Sequence, residues 1–492
     1  MPRRSVTTTD KPESAQQAAR TGRGLPPGTL PVIVLLVASA FVAILNETIM
    51  SVALPVLMDE FAIAASTAQW LTTGFLLTMA VVIPLTGFLL QRVKLRTLFL
   101  VAMSLFAGGT LLAVLAPGFG VLVVARVVQA SGTAIMMPLL MTTVLTLVAP
   151  DRRGRMMGII SIVIAVAPAV GPTVSGIILD ALSWRWMFGL VLPLAAVALG
   201  LGAIWVRNVT ETTPVRLDIL SVIVSAIGFG GIVFGLSTIG STSGGGLSAW
   251  IPLVVGVLAL AAFVGRQINL QRTDSALLDL RTFRSSSFTI AVVLVVIVFM
   301  ALLGSLTLLP MYVQQVLGLS ALDTGLMMLP GGILMGVIAP VVGNLFDRYG
   351  PRPLITPGMI VAATALWGMT TFGEATPVWW VIAVQVTLNV GLGFVFTPLM
   401  TSALGSLPTG LYSHGTATFN TIQQVAGAAG TAVFISLMSA RTASGAAAGA
   451  PPEAAMASGV HTAFLAGAAI ATAAVLLAPF IKRAPEALEV AA

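Results

Sequence analysis

Gly343-Asn344-Leu345-Phe346-Asp347-Arg348-Tyr349-Gly350-Pro351-Arg352 follows a long apolar run. An earlier stretch, Gly87-Phe88-Leu89-Leu90-Gln91-Arg92-Val93-Lys94-Leu95-Arg96, follows another in the same way. Each carries a glycine, expected to pack closely, at the end of a helix and then sets basic residues in a short polar turn. Eight apolar segments separate the two turns. Two copies of such a device at that interval are what a membrane protein built from two related helical bundles leaves in its sequence.

Composition agrees. Of 492 residues 57% are hydrophobic and 8% charged, with a mean hydropathy of +1.02, so most of the length belongs in lipid as helices. A β-barrel would show short segments of alternating polarity, whereas these apolar runs last about 18 residues or more. The chain has no cysteine, which excludes disulfides and thiolate metal sites, and its two histidines, His414 and His461, cannot make a His-rich one. The net charge of +7 does not point to nucleic acid, because 21 of the 24 Lys and Arg fall in one set of alternate turns and tails. Arg185 and Arg441 lie on the other side and Arg126 within a span. This positive-inside bias predicts cytoplasmic termini and an even number of spans.

Fourteen spans are expected, at about 31–58, 67–90, 97–116, 120–148, 156–179, 186–206, 218–239, 249–270, 287–309, 324–346, 354–373, 378–402, 414–439 and 460–481. Residues 1–29 read as a disordered cytoplasmic tail. No cleavable signal peptide is expected, since the following run is too long for one and holds an acid. Residues 441–459, rich in Ala, Gly and Pro, read as a flexible external loop.

That acid is Glu47, near the middle of the first run, within Leu45-Asn46-Glu47-Thr48-Ile49-Met50-Ser51-Val52-Ala53-Leu54-Pro55. A carboxylate at such depth costs about 2.5–3.5 kcal/mol, and groups of this kind usually face a bundle interior and belong to an ion or proton pathway. The alternative is a glutamate tied up by helix packing. Asn46 projects about 100° further round the helix and cannot aim at the same spot. Of the two, only Glu47 can carry a proton.

Gly343 to Arg352 matches the G-x-L-x-D-R-x-G-x-R signature of the major facilitator superfamily, with Gly343, Asp347, Arg348, Gly350 and Arg352 at its fixed positions. Two related copies, the first with Gly87 and Arg92, resemble its 14-helix drug:proton antiporter branch, the EmrB/QacA type. Arg126-Val127-Val128-Gln129-Ala130-Ser131-Gly132 resembles that family's R-x-x-Q-G-x-G motif, whose Arg is implicated in proton coupling. At 1.5 Å per residue, Arg126 and Glu47 differ by less than about 10 Å in depth, so mutual influence is expected. Ala167 to Gly176, with Gly171, Pro172 and Gly176, resembles the antiporter motif G-x-x-x-G-P-x-x-G-G, and its small residues admit a close helix contact.

Where many relatives read L-D-x-T in span 1, this chain has Asn46-Glu47-Thr48, similar to the lincomycin-resistance subgroup. In the first turn Gln91 replaces the Asp, so the acidic switch charge stands only at Asp347, a gate residue or else a solvated one. Thr416, Asn420, Gln423 and Gly427 share one face of span 13, either lining a cavity or bonding between helices; Asn389 in span 12 is open to the same two readings.

The resemblance implies an all-α fold of two pseudo-symmetric six-helix bundles, 30–207 and 287–482, with two inserted helices (208–272), a cytoplasmic linker (273–286) and a short tail (483–492). It implies a monomeric, multi-pass exporter of the bacterial cytoplasmic membrane that exchanges an amphipathic small molecule for protons. No cofactor or metal is expected, only the proton gradient. Glu47 and Arg126 would couple protons, while Asn46, Gln129, Asn389, Asn420 and Gln423 would line the cavity. The alternative is proton-coupled transport of a metabolite, lipid or peptide. An enzyme would cluster catalytic groups at one interface and a sensor would carry a soluble domain; neither pattern is present.

Overall fold

The computed structural model describes residues 29–147, 166–167, 170–206, 208, 218–239, 247–273, 276–408 and 411–481. Among them the regular structure is helical throughout, and twelve helices are long and apolar enough to cross a membrane. Two further helices, Val170–Ala181 and Arg352–Met369, stand where the fifth and eleventh spans are expected. Much of the expected fifth span, with Pro168, lies outside the described residues.

The first apolar run is not one continuous helix. It divides into α1 (Thr29–Thr48) and α2 (Met50–Phe61), with Ile49 between them still in helical geometry and its N–H donating to Leu45 O at 3.0 Å. The Thr48 hydroxyl donates back to Ile44 O and Leu45 O, Ser51 Oγ donates to Thr48 O, and Pro55 offers no N–H to the turn before it. Such back-bonding and a proline bend a helix. The break follows Glu47 by two residues.

Glycines set how closely the next helices approach. α3 (Leu95–Val114) and α4 (Phe119–Leu147) mesh so tightly that a Cβ on Gly109 would lie 2.6 Å from Gln129 N, and one on Gly132 only 2.8 Å from Phe106 N. In the second half α5 (Arg352–Met369) and α6 (Val378–Gly405) repeat the device, a Cβ on Gly391 falling 2.6 Å from Ala362 N. The duplication thus extends from the turns into helix packing.

The stretch 441–459 is a correction to the sequence reading. It is helical up to Ala447 and again from Pro452, with the reversal confined to residues 448–451 and Gly449 at φ 82°. The run owes this to alanine, the strongest helix former, which outweighs the glycines that suggested a loop. Gly343 is a second correction. Nothing lies within 4 Å of where its Cβ would be. The close glycine contacts of its helix, α7 (Ala321–Tyr349), are at Gly325 and Gly331 instead.

Following the chain up and down places Arg92, Lys94, Arg96, Arg266, Arg348 and Arg352 at one end of the molecule, here the basic end. At the opposite end the halves meet. Gln314 Nε2 donates to Val52 O at 3.1 Å, and Thr173 Oγ1 to Gly325 O at 2.9 Å. A Cβ on Gly176 would sit 2.5 Å from Ala321 O, and one on Gly325 2.5 Å from Pro172 O. Val52, from the first half, is wholly buried within the core of the second. This end is closed.

Candidate functional site

Arg126 is the largest fully buried side chain among the described residues, about a quarter of the way along α4. Burying a guanidinium unpaired is costly, so its partners define the site. Nη1 donates to Asn46 Oδ1 at 2.7 Å, to Asn46 O at 3.3 Å and to Gln129 Oε1 at 3.2 Å. Nε donates to Leu71 O at 3.3 Å, and the guanidinium carbon stands 4.1 Å from the centre of the Phe75 ring. Gln129 Nε2 passes the network on to Thr110 Oγ1 at 2.8 Å, which donates to Phe106 O. The interlock of Gly109 and Gly132 brings Thr110 and Gln129 within reach of each other.

The partner that holds Arg126 is therefore the neutral amide of Asn46, not the neighbouring acid. Asn46 is 0% exposed and roofs the guanidinium. Glu47 is half-buried and, among the described residues, has no hydrogen bond and no close ion pair; the Arg126 charge reaches it only through space. Neutral oxygens and an aromatic face satisfy most of the guanidinium. Nη2 of Arg126 and Nδ2 of Asn46 have no partner among the described residues. Two donors thus stand spare beside an acid that has no bond of its own.

The other expected residues are more dispersed. Gly171 packs on the break in the first span, where a Cβ would strike the Thr48 hydroxyl and come within 3.5 Å of Ile49 N, one and two residues after Glu47. Pro172 and Gly176 lie in the closed contact between the halves, and Ser175 Oγ meets Met187 Sδ. Asn389 is buried and donates to Gln385 O at 2.9 Å, with Gly331 against it, so it serves helix packing here. Asn420 and Gln423 are half-buried with no hydrogen bond among the described residues, and Gly427 lies against Leu303 and Leu76.

At the basic end Arg92 and Arg348 are exposed. Gly350 closes α7 at φ 77°, and Arg352 Nε donates to Ile481 O at 2.8 Å, tying its turn to the end of the last helix. Gly87, Gln91 and Asp347 occupy helical positions, but the expectations for their side chains lie outside the described residues. Sequence reasoning missed Thr110, Phe75 and the Thr173–Gly325 bond. Thr110 carried a signal, as a hydroxyl following two glycines inside an apolar run; the others are ordinary until the fold joins them.

Residues 36–431 match the Major Facilitator Superfamily. The chain belongs to this family. Its relatives include the "Lincomycin resistance protein LmrB" of Listeria monocytogenes, 42% identical over 95% of this chain and 100% of that protein. The protein of the same name in Bacillus subtilis is 41% identical over 84% of this chain and 86% of its own length. A "Multidrug resistance protein B homolog" of Mycobacterium tuberculosis is 29% identical over 88% and 80%. A D-xylose–proton symporter shares the fold, with a TM-score of 0.64 at 14% identity across 93% of this chain and 98% of that one. As a major facilitator the chain is a multi-pass bacterial membrane protein that transports a small molecule and is not an enzyme.

Proposed function

We propose that this transporter exports amphipathic organic compounds, antibiotics among them, in exchange for protons. Support comes from 42% identity, over nearly the whole chain, to a protein named for lincomycin resistance. On this reading the twelve apolar helices together with Val170–Ala181 and Arg352–Met369 make fourteen spans. The basic end is cytoplasmic, both termini lie on that side, and the closed end faces outward. The unit is a single chain driven by the proton gradient without a cofactor.

The observation that carries the coupling is the half-buried, unbonded Glu47 beside a guanidinium held by neutral groups. With Asn46, Gln129, Leu71 O and Phe75 around it, Arg126 keeps its partners when Glu47 is protonated. When Glu47 ionises, its carboxylate is attracted to Arg126, whose Nη2 has no partner among the described residues, so loss of the proton draws the first span toward α4. Protonation from outside, cargo release there, reorientation, deprotonation and cargo binding inside, and return outward complete a cycle that carries one positive charge inward when the cargo is neutral. The membrane potential then contributes about 2.3 kcal/mol per 100 mV.

Reconstitution in proteoliposomes tests this reading. Glu47→Gln is expected to abolish substrate movement driven by a pH gradient while sparing substrate–substrate counterflow, which needs no net proton transfer. Undiminished gradient-driven transport by that variant would remove Glu47 from the coupling.

A further inference from the structure

The two inserted helices, α8 (Ile219–Ile239) and α9 (Leu247–Leu270), form a rigid unit. A Cβ on Gly231 would lie 2.7 Å from Gly256 Cα, and one on Gly235 2.8 Å from Leu253 N, so the two backbones lie in contact. At the basic end Asp218 accepts both Nε and Nη2 of Arg266 at 2.6 and 2.7 Å, Ser221 Oγ donates to Asp218, and Gln267 Nε2 donates to Ser221 Oγ at 2.7 Å. A bidentate pair within such a network fixes geometry as well as adding energy. The hairpin is clasped at one end and interlocked along its length.

Among the described residues its attachments to the two halves differ in kind. Toward the second half they are polar and continuous. Gln267 Oε1 accepts the N–H groups of Leu277 and Leu278 at 2.8 and 3.2 Å. Buried Asp279 then accepts Arg281 N at 2.8 Å, Thr289 Oγ1 donates to Phe283 O at 3.0 Å, and Ser285 Oγ donates to Ser406 Oγ at 2.8 Å. Nearer the closed end, Ser436 Oγ of α10 (Tyr412–Ala447) donates to Leu236 O at 3.1 Å. Toward the first half the described contacts are apolar and smooth: Trp70 against Phe234, with ring centres 5.7 Å apart, and Leu77 about 3.9 Å from where a Gly230 Cβ would be. Val233 is 0% exposed, in a cluster with Leu76 from one half and Ala428 and Ala432 from the other. The hairpin therefore lies across the seam between α10 and α11 (Trp70–Arg92). The far face of α9, with Trp250, Val254 and Leu258 exposed, belongs to lipid.

We propose that this hairpin is a lateral seal that travels with the second half and slides on the first. Hydrogen bonds have fixed partners and resist displacement, whereas an aromatic and aliphatic contact can shift by a few ångströms at small cost. When the halves rock, the Leu236–Ser436 and Gln267–linker bonds persist, and the Trp70 and Leu77 contacts with Phe234 and Gly230 are remade. The seam stays covered against lipid throughout the cycle. This inference rests on the rocking movement of the proposed function.

The absence of cysteine makes the test clean. Leu236→Cys with Ser436→Cys joins hairpin to second half through a short thiol crosslinker, and Leu77→Cys with Gly230→Cys joins it to the first. Before crosslinking each variant is expected to transport within two-fold of the parent. Afterwards the first pair keeps at least half its activity, and the second loses at least ten-fold, regained on cleaving the crosslink. The reverse pattern, or undiminished transport with the hairpin fixed to the first half, overturns the proposal. A second measurement needs no transport: spin labels on the exposed positions Val254 and Thr364 should give one sharp distance, and Val254 with Val101 a broad or double one. Two equally sharp distances overturn the proposal, whereas failure of the parent chain to transport counts against the function alone.

Discussion

The closed end depends on a backbone-to-backbone contact that one methyl group would break. A Cβ on Gly325 would lie 2.5 Å from Pro172 O, 2.9 Å from Thr173 Cα and 3.1 Å from Pro172 C. No flexible side-chain tip is among these atoms, so Gly325→Ala must push the helices apart by about 1 Å. Overpacking of this kind costs about 1–3 kcal/mol. The bond from Thr173 Oγ1 to Gly325 O would stretch from 2.9 Å and lose part of a further ~1 kcal/mol. In an arrangement that releases this contact neither cost applies, so the balance shifts toward opening by about 5- to 150-fold. A single cysteine at Val52, wholly buried against the second half, reports it. Labelling by a membrane-impermeant maleimide should accelerate by that factor in Gly325→Ala. Gly336→Ala, in the same helix with nothing within 4 Å, should leave the rate unchanged. An unaltered rate in a folded Gly325→Ala protein would refute the claim that this contact holds the end shut.

Two further outcomes are expected. Asn46→Ala removes the 2.7 Å acceptor of Arg126 but also an amide nitrogen that has no partner, and leaves Asn46 O and Gln129 Oε1 in place, so the net loss should be about 1–2 kcal/mol, read as a lower thermal midpoint in detergent. An unchanged or higher midpoint would mean that Asn46 does not hold the guanidinium. At the basic end, hydrogen bonding from Arg266 holds the Asp218 carboxyl below its usual 3.8. A depressed carboxyl contributes stability above its unfolded value and loses it as pH falls through the folded one. Asp218→Asn should therefore lower the midpoint at neutral pH, by about 1 kcal/mol since Arg266 is 38% exposed, and the gap to the parent should close on acidification below about pH 4. A gap independent of pH would assign the effect to packing rather than charge.

The course of the helices was legible because lipid leaves few choices. A run of about 20 apolar residues must satisfy its own backbone, and helices do so. What escaped was local. The break at Ile49 needs Thr48, Ser51 and Pro55 read together, as two hydroxyls that bond back to the preceding turn and a proline that donates nothing. The helix through Arg441 and Ala447 needed alanine weighed above glycine. Gly325 gave no sign of its importance, since a close approach is a property of two helices and only Gly171, Pro172 and Gly176 on the other side carried a recognisable spacing.

In the site, the sequence supplied the pairing of helices but not of side chains. Glu47 and Arg126 sit at similar depth, and attraction between opposite charges makes an ion pair the obvious expectation. The one-residue offset decides otherwise. Asn46, about 100° round the helix from Glu47, faces α4 and takes the guanidinium with both its side chain and its backbone oxygen. A carboxylate at position 46 would neutralise Arg126 permanently and bury the pair. An amide there satisfies the cation without discharging it, so its field still reaches the neighbouring acid. Moving the carboxylate by one residue separates the group that anchors Arg126 from the group that can exchange a proton.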